Sequence, residues 1–265
     1  MNILYIGDIM GRPGRKVLAK VLPALRIKHD IDVVIAQAEN VSHGKGMSLR
    51  HYSELEECGV DCFSGGNHTF ERTDTMQLVV SSSAPVTAPA NVVGDAFGNY
   101  KIFTSRSKQK VAILSLLGYT IPNGYDEHTK NPLLVVDTIL PKIFQHKPDA
   151  VIVNIHGDVS SEKIMMGHYL DGKVTAVVGD HWHVPAADAR VLPKGTAHIT
   201  DVGMCGALNS SLGVDIDRAI ARWRGEHVKN RMAEGGPLQF NAVLVKTIQN
   251  SLLAESIERV YLELN

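Results

Sequence analysis

Cysteine is scarce in this sequence, and its three residues, Cys58, Cys62 and Cys205, form no Cys-x-x-Cys pair and cannot all be disulfide-bonded within one chain. A disulfide framework and a thiolate metal cage are thereby set aside, and buried packing in a reducing compartment is the reading of the thiols. Long apolar runs are missing too: none approaches the ~18 residues of a membrane span, and the first strand-like segment, Asn2 to Ile6, is too short for a signal-peptide core. A cytoplasmic protein with no membrane partner is expected. Neither sign of charge is in surplus, with 27 Lys plus Arg against 28 Asp plus Glu, so the overall field offers no footprint for a long nucleic acid. The basic clusters at Arg106 to Lys110 and Arg222 to Arg231 read as solvated faces. Internal repeats, low-complexity tracts and long linkers are absent as well, so residues 1–265 are expected to form one domain.

What is present is enough apolar material for a substantial core, 44% of 265 residues. Short β-branched runs alternate with amphipathic stretches: Ile3 to Ile6, Lys16 to Ile27, Val33 to Ala38, then Leu49 to Cys58. In the first helix Val17, Leu18, Val21, Leu22 and Leu25 share one face, which should lie against a sheet, and Pro23 should bend it. Further strands are expected at Cys62 to Ser64, Val111 to Leu116, Ala150 to Ile155, Val174 to Val178 and Ala197 to Thr200, with a helix from Leu133 to Phe144. Leu238 to Ile248 and Ser256 to Leu264 alternate like half-buried antiparallel strands. An α/β fold with a mixed sheet, or two packed sheets, follows.

Five of the apolar runs lead into metal-ligand residue types. Ile3 to Ile6 leads to Asp8, Val33 to Ala38 to Glu39 and Asn40, Cys62 to Ser64 to Asn67 and His68, Ala150 to Ile155 to His156, and Val174 to Val178 to His181 and His183. Ligands of open α/β sheets bind outside the carboxyl ends of the strands, so these residues should converge on one crevice. Taken singly they say little: Asp8 could cap a helix, Asn67 could serve the Gly65-Gly66 turn, and His181-Trp182-His183 could be a structural pair. Together they make a mixed oxygen and imidazole set without thiolate, which suits Mn, Fe or Zn better than Ca. The set exceeds what one ion needs, so two metals with open positions are expected. The stretch Gly7 to Gly14 has neither the Gly-Lys-Ser/Thr ending of a P-loop nor dinucleotide-fingerprint spacing. It is better used as a tight turn that aims Asp8 and frees Arg12 or Arg15 toward substrate.

Gly65-Gly66-Asn67-His68 resembles the GNH box of the calcineurin-like metallophosphoesterases, and Gly179-Asp180-His181-Trp182-His183 resembles their GHxH-type box. Gly7-Asp8-Ile9-Met10-Gly11-Arg12-Pro13-Gly14, Ala38-Glu39-Asn40, Pro89-Ala90-Asn91, Ser161-Glu162-Lys163, Tyr169-Leu170-Asp171-Gly172 and Ile199-Thr200-Asp201-Val202-Gly203-Met204 are similar to the YmdB-like bacterial branch, over roughly residues 1–213. The resemblance implies a four-layer α/β/β/α metallophosphoesterase sandwich with mixed sheets and a homo-oligomer, dimer or tetramer. It implies that Asp8, Glu39, Asn40 and His183 hold one ion, that Glu39, Asn67, His156 and His181 hold the other, and that Glu39 bridges them. Met10 stands where the wider superfamily usually has a ligand histidine and Glu39 where it has aspartate, as in the narrower branch. Asn154 and Gly157-Asp158 depart from an Asp and an Ala-Glu, Trp182 from a small residue, and Cys205-Gly206-Ala207 from Thr-Gly-Pro.

Two divalent or mixed-valence ions, iron or manganese with zinc as the alternative, together with Asp8, Glu39 and a bridging hydroxide would leave roughly one positive charge at the site, which suits a phosphate ester. The implied chemistry is in-line hydrolysis of a small phosphodiester such as a 2′,3′- or 3′,5′-cyclic nucleotide. His68 follows Asn67 without being a ligand and would protonate the leaving group; otherwise it only stabilises its loop. A phosphomonoesterase or RNA nuclease on the same site stays open, as does a non-catalytic metal- and nucleotide-binding regulator.

Overall fold

The computed structural model describes residues 1–92, 100–119 and 129–265. The first third alternates β1 (Asn2–Ile6), β2 (Asp8–Ile9), α1 (Gly11–Lys28), β3 (Val33–Gln37), α2 (Leu49–Glu57), β4 (Cys62–Ser64), a 3-10 turn (Asn67–Glu71) and α3 (Thr73–Val80). The middle runs through β5 (Lys101–Thr104), β6 (Lys110–Leu117), α4 (Pro132–Gln145), β7 (Ala150–His156), α5 (Ser160–Tyr169), β8 (Ala176–Asp180), β9 (Arg190–Val191) and β10 (Ala197–Ile199). The chain closes with β11 (Met204–Ala207), α6 (Ile216–Trp223), β12 (Leu238–Thr247) and β13 (Ala254–Leu264).

Among the described residues the strands form two mixed sheets. In the first the order is β2-β11-β12-β1-β3-β4, with β13 along the other edge of β12; β1, β3 and β4 are parallel, and β12 is antiparallel to β1 and to β13. The second has the order β5-β6-β7-β8-β10-β9, with β6, β7, β8 and β10 parallel. The period of two along each strand decides the layers. Ile3 and Tyr5 of β1, Val33 and Ile35 of β3, and Val243 and Val245 of β12 meet Val111, Ile113, Ile152 and Val178 between the sheets. Their neighbours Leu4, Ile6, Val34 and Ala36 turn outward onto Val17, Leu18, Leu22, Leu55 and Leu78 of α1, α2 and α3. On the far side Leu114, Val151, Val153 and Ile155 pack on Val136, Ile139, Leu140 and Ile143 of α4 and Met166 of α5. The expected four-layer α/β/β/α sandwich is the architecture.

Several boundaries differ from the sequence reading. Helix α1 begins at Gly11 rather than Lys16, because Pro13 is tolerated in a first turn and buried Gly14 lets the helix press on β11. A Cβ on Gly14 would lie 2.5 Å from the Cys205 carbonyl oxygen. Strand β8 starts at Ala176, two residues later than expected, and carries Asp180 as its last residue. Helices α3, α5 and α6, each of ten residues or fewer, add to the elements expected from the sequence. The thiols are free, with Cys62 and Cys205 buried and Cys58 partly so. No helix among the described residues is long and apolar enough to cross a membrane.

The end of β1 is held by a close backbone approach. Asp8 N–H donates to Gly203 O at 3.0 Å, and a Cβ on Gly7 would fall 1.9 Å from that same oxygen. Gly7→Ala must push the β1 and β11 segments apart, and a loss of about 3 kcal/mol is expected from overpacking. Gly235, with nothing within 4 Å of its missing Cβ, should accept alanine without loss. Urea-denaturation midpoints of the two variants check the contrast.

Candidate metal centre

The parallel strands β1, β3, β4, β7 and β8 end on the same edge of the sandwich, and the structure brings all eight residues singled out in the sequence to that edge. Asp8 opens β2, Glu39 and Asn40 follow β3, and Asn67 and His68 start the 3-10 turn beyond β4. His156 closes β7, and His181 and His183 follow β8. Two groups share Glu39. On one side Asn40 Nδ2 donates to Asp8 Oδ1 (3.1 Å) and Glu39 Oε1 (3.0 Å) and lies 3.3 Å from His183 Nε2. On the other, His156 Nε2 lies 2.8 Å from Asn67 Oδ1, 2.9 Å from His181 Nδ1 and 3.2 Å from Glu39 Oε1. Glu39 Oε2 accepts the His68 backbone N–H at 2.8 Å.

This donor set fits metal ions. One nitrogen of His156 faces three partners that are all able to offer lone pairs, and a single N–H satisfies only one of them. Ligand atoms of Glu39, His156 and His181 lie within 4.8 Å of one another. Turning the Asn40 amide over presents Oδ1 in place of Nδ2 to Asp8, Glu39 and His183, since the two ends are nearly isosteric. Oxygen and imidazole without thiolate are what a first-row divalent ion accepts.

The protein's own charges explain how the set is poised. Burial raises the Asp8 carboxyl well above the usual carboxylate range, reinforced by the negative charge of Asp180. Burial also opposes ionisation of Glu39, but His156 outweighs it and draws Glu39 down to about 2. Burial disfavours a charged His156, yet the Glu39 and Asp180 carboxylates raise its pKa well above the ordinary histidine range. His181 falls to about 4, through burial and the neighbouring charge of His156.

Residues that the sequence reading left without a role hold this set in place. Fully buried Asp180 accepts from His156 Nδ1 (2.6 Å) with Oδ1, and from Tyr5 OH (3.0 Å), Gln37 Nε2 (2.9 Å) and Asn154 Nδ2 (2.6 Å) with Oδ2. Such a carboxylate behind a ligand imidazole fixes its tautomer and direction. Asp158 Oδ1 lies 2.9 Å from His181 Nε2, and Trp182 Nε1–H donates to the Asp158 carbonyl at 2.9 Å. Asp158 and Trp182 thus meet each other and His181, and Asn154 reaches the same cluster through Asp180 and His156. His181 and His183 have φ of +105° and +64°, a strain of about 1–3 kcal/mol each. Fully buried Lys163 bridges the Asp180 carbonyl (2.6 Å) and Asp201 Oδ2 (2.9 Å), and Asp201 also accepts the Trp182 N–H. Asp180 could have been found by the same strand-end rule that found His156. Lys163 belongs to the Ser161-Glu162-Lys163 motif, yet its pairing is not legible there, since a lysine in a weakly amphipathic segment reads as exposed. Arg15 is not free to approach a substrate: it pairs with Glu54 at 3.1 Å and donates to the Val41 carbonyl. Arg12 is exposed and does not line the cavity around the site.

The sequence profile described as YmdB-like protein matches residues 4–260. The chain belongs to the YmdB-like family. A relative from Bacillus subtilis (strain 168), named 2′,3′-cyclic-nucleotide 2′-phosphodiesterase, is 33% identical over 98% of this chain and 96% of its own length. A Mycoplasma pneumoniae structure described as a novel phosphatase superposes with a TM-score of 0.90 at 31% identity, over 100% of this chain and 94% of that one. A 5′-nucleotidase structure from Candida albicans SC5314, 13% identical, has a TM-score of 0.58 over 100% of this chain and 51% of its own, a likeness of fold. The YmdB-like assignment agrees with the resemblance carried by the Gly7–Gly14 and Ala38–Asn40 motifs.

Lys163→Met strands the Asp201 carboxylate in a buried site, and a loss of about 3–5 kcal/mol is expected. Adding Asp201→Asn should recover part of it. Calorimetric Tm values of the single and double variants test whether the pair is the anchor.

Proposed function

We propose that this chain is a dinuclear metal-dependent phosphodiesterase acting on small phosphodiesters, with 2′,3′- or 3′,5′-cyclic nucleotides as substrates. The observation that carries the reading is the division of seven converging residues into two donor groups that share Glu39, with His68 beside them. The Bacillus relative's name supports the diester and the cyclic nucleotide.

In this reading Asp8, Asn40 and His183 hold one ion, Asn67, His156 and His181 hold the other, and Glu39 is shared. Iron or manganese, divalent or mixed-valence, suits the donors, with zinc as the alternative. When bound, the ions supply Lewis acidity and an activated water. The protein's share is orientation and proton transfer. Asp180 and Asp158 aim the two imidazoles, as carboxylates behind ligand histidines do. The His68 ring lines the cavity, and its Nδ1 is engaged by Glu71, whose other oxygen pairs with Lys45 Nζ at 2.8 Å. That engagement leaves Nε2 to give a proton to the departing oxygen. Its link to Glu39 through the backbone N–H keeps the ring beside the donor cluster without making it a ligand.

A panel of cyclic nucleotides, nucleoside monophosphates and short RNA, assayed with Mn²⁺ or Fe²⁺, tests the substrate. Hydrolysis of monoesters only would refute the diester reading, and binding of cyclic nucleotides without turnover of even an activated diester would replace it with a regulator. His68→Ala is expected to lower turnover by ~10²-fold while elemental analysis finds the metal content unchanged. Loss of metal with that substitution would make His68 a ligand instead.

A further inference from the structure

Beside the donor groups the site opens into a cavity of about 560 Å³, within the range of nucleotide-sized pockets. Asn40 and His183 stand on its polar side. Next to His183 the lining is apolar: Leu212, Val214 and Met232 form a wall, Met10 packs beside Gly213, and Asn230 lines the cavity with them.

This wall is built rather than incidental. Leu212 has φ of +52°, a conformation that leucine rarely adopts; it is 47% exposed and lines the cavity. Its carbonyl accepts from His183 Nδ1 at 3.1 Å, so the residue that orients His183 also presents an apolar side chain next to it. Gly213, at φ of +93°, lets the loop close on Met10, since a Cβ there would lie 2.2 Å from Met10 Cγ. Ser211 and Val214 exchange backbone hydrogen bonds at 2.8 and 2.9 Å. The loop is then clipped to the 231–233 segment by Asp215 N–H to Arg231 O and Ala233 N–H to Gly213 O, both 2.9 Å. Val214 and Met232 are paired across this clip. The wall is rigid before any ligand arrives, and a preformed apolar surface is one that binds a flat ring without an ordering cost.

We infer that Leu212, Val214 and Met232 are the nucleobase-binding wall of the site, with Asn230 placed to meet the polar edge of the ring. The inference rests on the phosphodiesterase reading for its substrate class and adds which part of the nucleotide these residues recognise. A phosphate drawn to the Asn40 and His183 side sets its sugar and base over the apolar side of the same cavity. A larger ring covers more of the wall, so purines are favoured over pyrimidines by about tenfold, the discrimination that a few apolar contacts provide.

The test compares Leu212→Asn and Met232→Ser with the unaltered protein; asparagine accepts the left-handed backbone, so the loop is kept. The ratio of kcat/KM for 2′,3′-cyclic AMP over 2′,3′-cyclic CMP is expected to fall toward one in both variants, mostly through KM. An equal fall for both substrates, or an unchanged ratio, overturns the inference. In parallel, calorimetry on the Mn²⁺-loaded protein compares AMP with ribose 5-phosphate. AMP should bind about tenfold tighter, and the variants should erase the difference; equal binding by the unaltered protein overturns the wall. If no cyclic nucleotide is turned over but AMP still outbinds ribose 5-phosphate, the phosphodiesterase reading fails and the wall stands.

Discussion

Asp180 lies where the two sheets meet beneath the site, and its carboxylate takes donors from both: Tyr5 and Gln37 from the first sheet, Asn154 and His156 from the second. A fully buried carboxylate left alone is expensive, so it demands these four partners at once. Satisfying them fixes the distance and twist between the sheets at the one edge where the strand ends must converge. The carboxylate thus acts twice, as a rivet between layers and as the group that decides which nitrogen of His156 faces Glu39 and Asn67. Geometry at the donor cluster is inherited from the packing beneath it.

The layers themselves were legible because period-two alternation is a strong signal when both faces of a strand are buried by different partners. Ile3 and Tyr5 against Leu4 and Ile6 are enough to place β1 in the middle of a sandwich. The eight candidate residues were legible for a related reason, since each stands at or just past the end of such a run and the parallel strands leave only one edge for them. The supports were harder to see. Asp180 is part of its strand, so it looked like a boundary residue, and its importance is visible only when Tyr5 and Asn154, 175 and 26 positions away, are found on the same oxygen. Local periodicity reads Lys163 as a surface residue, and its burial makes sense only beside Asp201 and the Asp180 carbonyl. Helices α3, α5 and α6 are short; α6 carries an apolar stripe of Ile216, Ile220 and Trp223, but it buries no residue, so that stripe does not report a core contact.

The loop that carries His181 and His183 shows what such supports are for. Two non-glycine residues with positive φ in one short turn would relax in an isolated peptide. Here Asp201 accepts the Trp182 N–H between them, Met204 N–H donates to the His183 carbonyl at 3.2 Å, and Asp8 accepts the His181 N–H at 3.4 Å. Two segments, the start of β2 and residues 201–204, therefore hold the turn, and neither is free to move without disturbing the sheets. A strained loop on a rigid scaffold is preorganised: under the proposed metal reading the two imidazoles would not need to be collected when cations arrive, because folding already orders them.

That economy has a limit, and Leu212 marks it. The same carbonyl that steadies His183 belongs to a residue whose own backbone is unfavourable and whose side chain gains nothing from the core. Natural sequences are locally consistent except where function asks otherwise. Leu212 breaks local preference in both conformation and exposure, within a loop clipped firmly enough to keep it so. Folding alone would favour glycine or asparagine there. In the proposed reading, a branched apolar side chain at this position is explained by what the cavity receives, and the constraint passes from the sheet seam, through His183, to the cavity lining.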